Sequence, residues 1–183
     1  MLALCGWSAS GKTTILNELE KLGIERIVTM TTRPMRPGEE EGKTYYYRSE
    51  EEFKNLMYYG FFAETTSYQV ANGETWWYGT PKQALYGDGA IILNPDGLKA
   101  LKNKYNMLVF YLYVPEMELF NRLKARGDDK DEARRRINAD REDFKDIRDY
   151  CDWIVGDYWS SPEDIAAKIK KEYDIWKNRQ ISK

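Results

Sequence analysis

The sequence predicts an α/β fold built on a parallel core sheet. Short apolar runs alternate with helical stretches along the chain. The apolar run Leu2-Ala3-Leu4-Cys5 passes directly into a glycine-rich turn and then a helix. Two further apolar runs, at 90–93 and 107–114, are separated by a segment of helical character, as a parallel crossover requires.

Each element follows from its residues. Leu2 to Cys5 reads as a buried strand, because it is apolar at every position. A helix is expected over 12–22, with Leu16, Leu19 and Leu22 facing inward and Gly23 ending it. Residues 27–29 read as a second strand. Residues 32–43 form a polar loop punctuated by Pro34, Pro37, Gly38 and Gly42. Ser49-Glu50-Glu51-Glu52 is a capping box that opens a helix to about residue 59. Residues 61–79 read as paired strands, with Asn72-Gly73 as a tight turn between them. Thr80-Pro81 is expected to cap a short helix. Further helices are expected over 115–124, 130–150 and 161–178, with a short strand at 153–155.

Composition narrows the chemistry. The 183 residues suit one compact domain with a proper core, since 42% are hydrophobic. A net charge of -2 argues against a general nucleic-acid binder. Two cysteines suggest no disulfide framework and fit a reducing cytoplasm. The apolar start is too short for a signal peptide, and no segment reaches the roughly 20 apolar residues of a membrane span. Histidine is absent, so any catalysis proceeds without the commonest general base.

Gly6-Trp7-Ser8-Ala9-Ser10-Gly11-Lys12-Thr13 fits G-x-x-x-x-G-K-[ST] in full, after a strand and before a helix. The glycines let backbone amides of Ser8, Ala9, Ser10 and Gly11 converge on an anion, beside the helix N-terminus that carries Thr13 and Thr14. Lys12 would neutralise terminal phosphates, and Thr13 would place its hydroxyl on Mg2+. An ordinary strand-to-helix turn with an exposed lysine would not need the whole pattern.

The segment from Thr29 to Tyr45 holds Arg33 and Arg36, three apart in a proline-bounded loop, and such a pair can fork onto one phosphate. Its pattern T-T-R-P-x-R-P-G-E-x-x-G-x-x-Y resembles the acceptor-binding signature of guanylate kinases. The likeness continues through Ser49-Glu50-Glu51-Glu52-Phe53, Glu64 and Tyr78-Gly79-Thr80, and more loosely through Arg126-Gly127 and an arginine-rich helix.

This resemblance implies a P-loop NTPase three-layer fold in one guanylate-kinase-like domain over 1–183. The core would span about 1–30, 80–122 and 150–183. A small mixed nucleotide-monophosphate-binding lobe would span about 31–79, and a helical lid about 123–149. It implies ATP-dependent phosphorylation of GMP or dGMP with Mg2+. Arg33, Arg36, Tyr45 and Tyr78 would hold the acceptor phosphate, and Glu39 would orient the arginine loop. Glu64 would accept from guanine N1 and the exocyclic amine, while Thr29 and Thr80 would donate to O6. That set matches guanine, which presents two donors beside one acceptor. From the lid, Arg126 and either Arg136 or its neighbour Arg135 would reach the transferring group. Its partners would be small nucleotides, without nucleic acid or membrane, and the chain would be a monomer or homodimer.

Three departures bear on specificity. Asn94-Pro95-Asp96-Gly97 stands where the family carries two aspartates, then glutamine and glycine. Asp96 is matched to the second aspartate, and Asn94 replaces the first. The stretch from Glu64 to Tyr78 is longer than usual and carries Trp76-Trp77. Gly156-Asp157 stands where the family often has asparagine. Another nucleotide acceptor, or a non-catalytic guanylate-kinase-like binding module, are the competing readings. The intact Gly11-Lys12-Thr13 weighs against the module.

Overall fold

The computed structural model describes residues 1–69 and 73–181. Two four-stranded sheets carry the fold. The first is parallel throughout, in the order β6-β1-β7-β8, formed by β1 (Leu2–Cys5), β6 (Ala90–Ile92), β7 (Leu108–Leu112) and β8 (Trp153–Val155). β1 is fully buried because both its faces are covered. Leu2 and Leu4 point into a cluster with Leu16 and Leu19 of α1 (Lys12–Lys21) and with Ile169 and Tyr173 of α6 (Pro162–Ile181). Ala3 and Cys5 point the other way, toward Leu98 and Leu101 of α3 (Pro95–Lys102) and Ile147. Each buried leucine of this kind contributes about 1.5–3 kcal/mol.

The second sheet has the order β3-β2-β5-β4, from β2 (Thr29–Thr31), β3 (Tyr45–Tyr47), β4 (Phe62–Gln69) and β5 (Thr75–Pro81). β2 and β3 are parallel, and β5 runs antiparallel to both β2 and β4. α2 (Glu50–Tyr58) packs Phe53 on this sheet, stacked on Phe62 at 4.5 Å. Its capping box is formed in full: the Ser49 hydroxyl accepts from the Glu52 amide, and the Glu52 carboxylate accepts from the Ser49 amide. Gly79 lies beneath the two rings. A Cβ there would stand 2.7 Å from Phe62 and 2.9 Å from Phe53, so the close approach demands glycine.

Several expectations change. The strand expected at 27–29 is instead β2 at Thr29–Thr31, in the second sheet; Arg26 makes only an isolated bridge to Ala90 before the chain crosses over. Met30 drives the shift, because it is the residue that seats against Phe53 and Phe62. β3 was not expected from its run of tyrosines. Leu22 stays 40% exposed, since the helix ends at Lys21 and the chain turns at Gly23. Thr80 and Pro81 close β5, and a short 3-10 turn, Lys82–Leu85, follows. The charged helix α5 stops at Asp143 (Lys130–Asp143), because Phe144 and Ile147 turn into the core. Asn72 of the expected tight turn lies outside the described residues, while Gly73 takes a φ of 85°. α4 (Glu116–Ala125) and α5 form a hairpin whose Leu119, Leu123 and Ile137 pack under Ala9 of the glycine-rich loop. No helix among the described residues is long and apolar enough to cross a membrane.

Candidate active site

The loop after β1 carries the backbone geometry an anion cradle needs. Gly6 has φ 151°, and a Cβ there would lie 2.7 Å from the Leu112 carbonyl oxygen. Ala9, at φ 63°, and Gly11, at φ 97°, complete the curl, and Gly11 is the N-cap of α1. The ammonium of Lys12 donates to the Gly6 carbonyl at 2.6 Å and the Trp7 carbonyl at 2.8 Å. Burial pushes its pKa down to about 8; Asp140 opposes this, while Arg126 and Arg136 add to it. Thr13 and Thr14 are exposed at the head of α1.

A cleft of about 880 Å³ opens beside this loop, between the two sheets and α5. Ser8, Ala9, Gly11, Lys12, Thr13 and Thr14 line one end. Arg33, Arg36, Glu39 and Tyr45 come from the arginine loop and β3. Thr29, Glu64, Tyr78, Thr80 and Asn94 line it as well, and Arg126, Arg135 and Arg136 approach from the far side. Ser10 lines a neighbouring cavity instead. Asp96 is exposed at the start of α3 and is not part of the lining.

Glu39 organises the arginine loop. Its carboxylate accepts from both terminal nitrogens of Arg33 at 2.9 and 2.7 Å, from the Arg36 amide at 2.8 Å and from the Tyr47 hydroxyl at 2.8 Å. Burial opposes the charge on Glu39, but these partners outweigh it and hold the carboxyl below its usual range. Burial likewise opposes the charge on Arg33, and Glu39 more than restores it. Arg33 lies over the Tyr45 ring at 5.4 Å, and Tyr45 meets Tyr78 edge-on at 6.1 Å. Arg36 points free of that pair. Enclosure in the cleft, together with repulsion from Arg33 and Arg136, lowers its pKa, so the cations converge where an anion would relieve them.

On the opposite wall the β4–β5 register sets Glu64 against Thr80, and the Thr80 hydroxyl donates to the Glu64 carboxylate at 2.5 Å. Burial raises the Glu64 pKa, and repulsion from Asp96 adds to this against the Thr80 hydrogen bonds. Asn94 is the N-cap of α3. Its oxygen accepts from the Gly97 amide at 2.7 Å, and its amide donates to the Thr66 hydroxyl at 2.6 Å.

The arginine-rich segment divides by partner. Arg135 pairs with Glu132 and Arg136 with Asp128, both at the cleft, while Arg141 pairs with Glu116 away from it. Arg136 rather than Arg135 bears electrostatically on both Lys12 and Arg36. Arg122 donates to the Tyr158 carbonyl at 3.1 Å.

Of the other lining residues, the sequence marks Trp76 through its long hairpin, but gives no clear signal for the rest. Tyr68, Gln69, Trp76 and Ile92 line the cleft, and Tyr68 pairs across strands with Trp76. The Trp76 indole nitrogen is buried without a partner among the described residues. Asp140 and Asp143 also line the cleft, although a charged helix reads in sequence as a solvated face. A second cavity of about 420 Å³ adjoins the other flank of the glycine-rich loop, lined by Thr14, Val114, Arg122, Val155, Tyr158 and Ile165 among others. Apolar side chains with a few polar groups beside a phosphate cradle suit a heteroaromatic base.

Comparison with known proteins gives the family and the fold. A family model described as guanylate kinase matches residues 1–171. A guanylate kinase of Nitratidesulfovibrio vulgaris is 36% identical over 171 residues, covering 86% of this chain and 79% of that protein. One of Clostridioides difficile is 32% identical over 182 residues, covering 93% of this chain and 83% of that protein. The crystal structure of guanylate kinase from Anaplasma phagocytophilum superposes with a TM-score of 0.68 at 24% identity, over 93% of this chain and 82% of that one, and so shares the fold.

Proposed function

Because the chain belongs to the guanylate kinase family and is a nucleoside-monophosphate kinase, we propose that it transfers the terminal phosphoryl group of ATP to GMP or dGMP. The observation that carries the proposal is the meeting of two cavities on the glycine-rich loop, where Ala9, Gly11, Thr14 and Arg126 line both. One cavity, with apolar residues such as Val114, Val155 and Ile165 in its walls, would take the donor base. The other joins an arginine–tyrosine phosphate clamp to the Glu64–Thr80 pair. An ionised Glu64 accepts from guanine N1 and the exocyclic amine, the Thr29 hydroxyl donates to O6, and the Thr80 hydroxyl joins it there when it turns from Glu64. Adenine offers the reverse donor pattern at those positions and is rejected.

The acceptor phosphate is held by Arg36, Arg33, Tyr45 and Tyr78, with Arg33 locked by Glu39. Its oxygen is already anionic, so no general base is needed, in keeping with a chain that has no histidine. That oxygen forms the new bond to the γ-phosphorus as the bond to the leaving ADP oxygen breaks. Lys12, Arg126 and Arg136 neutralise the charge on the transferring group. The first sheet with its helices acts as the core, the second sheet as the acceptor lobe, and the α4–α5 region as the lid.

The residues fit a magnesium ion that relies on the nucleotide. The Thr13 hydroxyl is exposed at the head of α1, and no cluster of three acidic, cysteine or histidine side chains among the described residues could cage a metal. Mg2+ commonly takes few protein ligands and fills its shell with phosphate oxygens and water. When bound, it would offset phosphate charge.

Lys12→Ala and Arg36→Ala test the assignment. Each is expected to abolish turnover of ATP with GMP while circular dichroism stays unchanged. Near-normal turnover in either variant rejects the assigned role.

A further inference from the structure

The anion cradle already holds an anion from its own chain. The amide of Ser8, the third residue of the loop, donates to the Asp140 carboxylate at 2.6 Å. The two residues are 132 apart in sequence, so the contact joins the loop to α5. α5 turns Glu132, Arg135, Arg136, Ala139, Asp140 and Asp143 to the cleft at spacings of three and four, which is one helical face. The arginines sit at its first half and the two aspartates at its end. Asp140 therefore meets the loop, while Arg136 lies between Lys12 and the acceptor-side Arg36 and acts on both. Lys12 meanwhile turns back onto the Gly6 and Trp7 carbonyls.

We propose that Asp140 occupies the seat of a donor phosphate in the empty enzyme, and that nucleotide binds by exchanging this internal carboxylate for a phosphate oxygen. The inference rests on the kinase reading above and adds to it a residue that sets donor affinity. A carboxylate and a phosphate compete for the same amide, because both are anionic acceptors and the loop offers a limited set of N–H donors. Displacing Asp140 frees the end of α5 from the loop, so donor occupancy and the position of the arginine-bearing helix become one equilibrium. By linkage, whatever weakens the Ser8–Asp140 bond strengthens donor binding, by at most the same factor. The competition concerns phosphate alone, so it applies equally to ATP and to a triphosphate that has no base.

Calorimetric titration with inorganic tripolyphosphate and with ATP, both with Mg2+, tests this on the wild type, Asp140→Asn and Asp140→Ala. The asparagine variant keeps size and shape and loses only the charge, which guards against a folding defect in the alanine variant. Both variants are expected to bind tripolyphosphate and ATP about tenfold more tightly than wild type, equivalent to about 1.4 kcal/mol. Their affinity for GMP alone should change by much less than this. Equal or weaker triphosphate binding in the variants, with normal binding by wild type, overturns the competition and leaves the kinase reading intact. Failure of all three proteins to bind either triphosphate overturns the phosphate-site reading and the competition with it.

Discussion

Replacing Glu39 by glutamine should cost more than any surface ion pair would. Glu39 accepts four hydrogen bonds, two of them from Arg33, which is only 4% exposed. Removing one partner of a buried pair strands the other charge, at about 3–5 kcal/mol. Glu39 retains 18% exposure, which leaves water some access and places the expected loss near the lower end, at about 3 kcal/mol. For a domain of this size each kcal/mol moves Tm by roughly 2–4 °C, so a fall of about 6–12 °C is expected by thermal circular dichroism. The stranded guanidinium should then welcome an external anion. Inorganic phosphate or GMP should raise the variant's Tm by more than the wild type's. A Tm within about 2 °C of wild type, or an equal response to phosphate, would refute the account of the arginine loop.

Three other substitutions probe separate parts of the site. Lys12→Met removes an ammonium whose pKa is lowered to about 8, so the empty protein should gain stability at pH 7, by at most about 3 kcal/mol, while turnover disappears; a lower Tm contradicts this. The sign follows from the lowered pKa. The charged lysine is costly to the fold at neutral pH, and the cost fades as pH rises from about 8 toward the ordinary lysine value. Glu64 has the opposite displacement, a carboxyl raised above 4.5 chiefly by burial. KM for GMP should therefore climb on acidification at a higher pH than an ordinary carboxylate gives, and Glu64→Gln should abolish that limb and weaken GMP binding about 10- to 100-fold. An unchanged pH profile in the glutamine variant removes Glu64 from the base site. Gly79→Ala should destabilise by about 1–3 kcal/mol in urea unfolding, because its methyl meets two phenylalanine rings; a neutral effect would mean that the rings move freely.

The parts of the fold that were legible in the sequence are those fixed by local rules. β1, the glycine-rich loop and α1 follow from an apolar run, glycines and a helix start within twenty residues. The capping box at Ser49 is a local hydrogen-bond pattern and forms as written. What misled is what depends on distant partners. β2 lies two residues later than expected because Met30 answers to Phe53 and Phe62, which only the tertiary fold brings near. β3 is three tyrosines whose pairing with β2 has no local signature. α5 ends early because Phe144 and Ile147 belong to the core. The candidate site divides the same way. The phosphate loop and the arginine loop are contiguous motifs, and the cleft brings their residues together. Tyr68 and Asp140 enter it through strand register and helix packing, so each reads in sequence as ordinary hairpin or surface composition, whereas Trp76 stands out through the unusual length of its hairpin. Asp96, in the first turn of α3, is exposed and outside the cleft lining, yet its charge still bears on Glu64.

The most direct test of the central claim is phosphoryl transfer itself. Purified protein with ATP and Mg2+ is presented in turn with GMP, dGMP, AMP, dAMP, CMP, UMP and dTMP, and formation of ADP and of each diphosphate is followed. Turnover confined to GMP and dGMP is the expected result. Efficient turnover of an adenine or pyrimidine monophosphate, or none with guanine nucleotides, would contradict the assignment of Glu64, Thr29 and Thr80 to guanine.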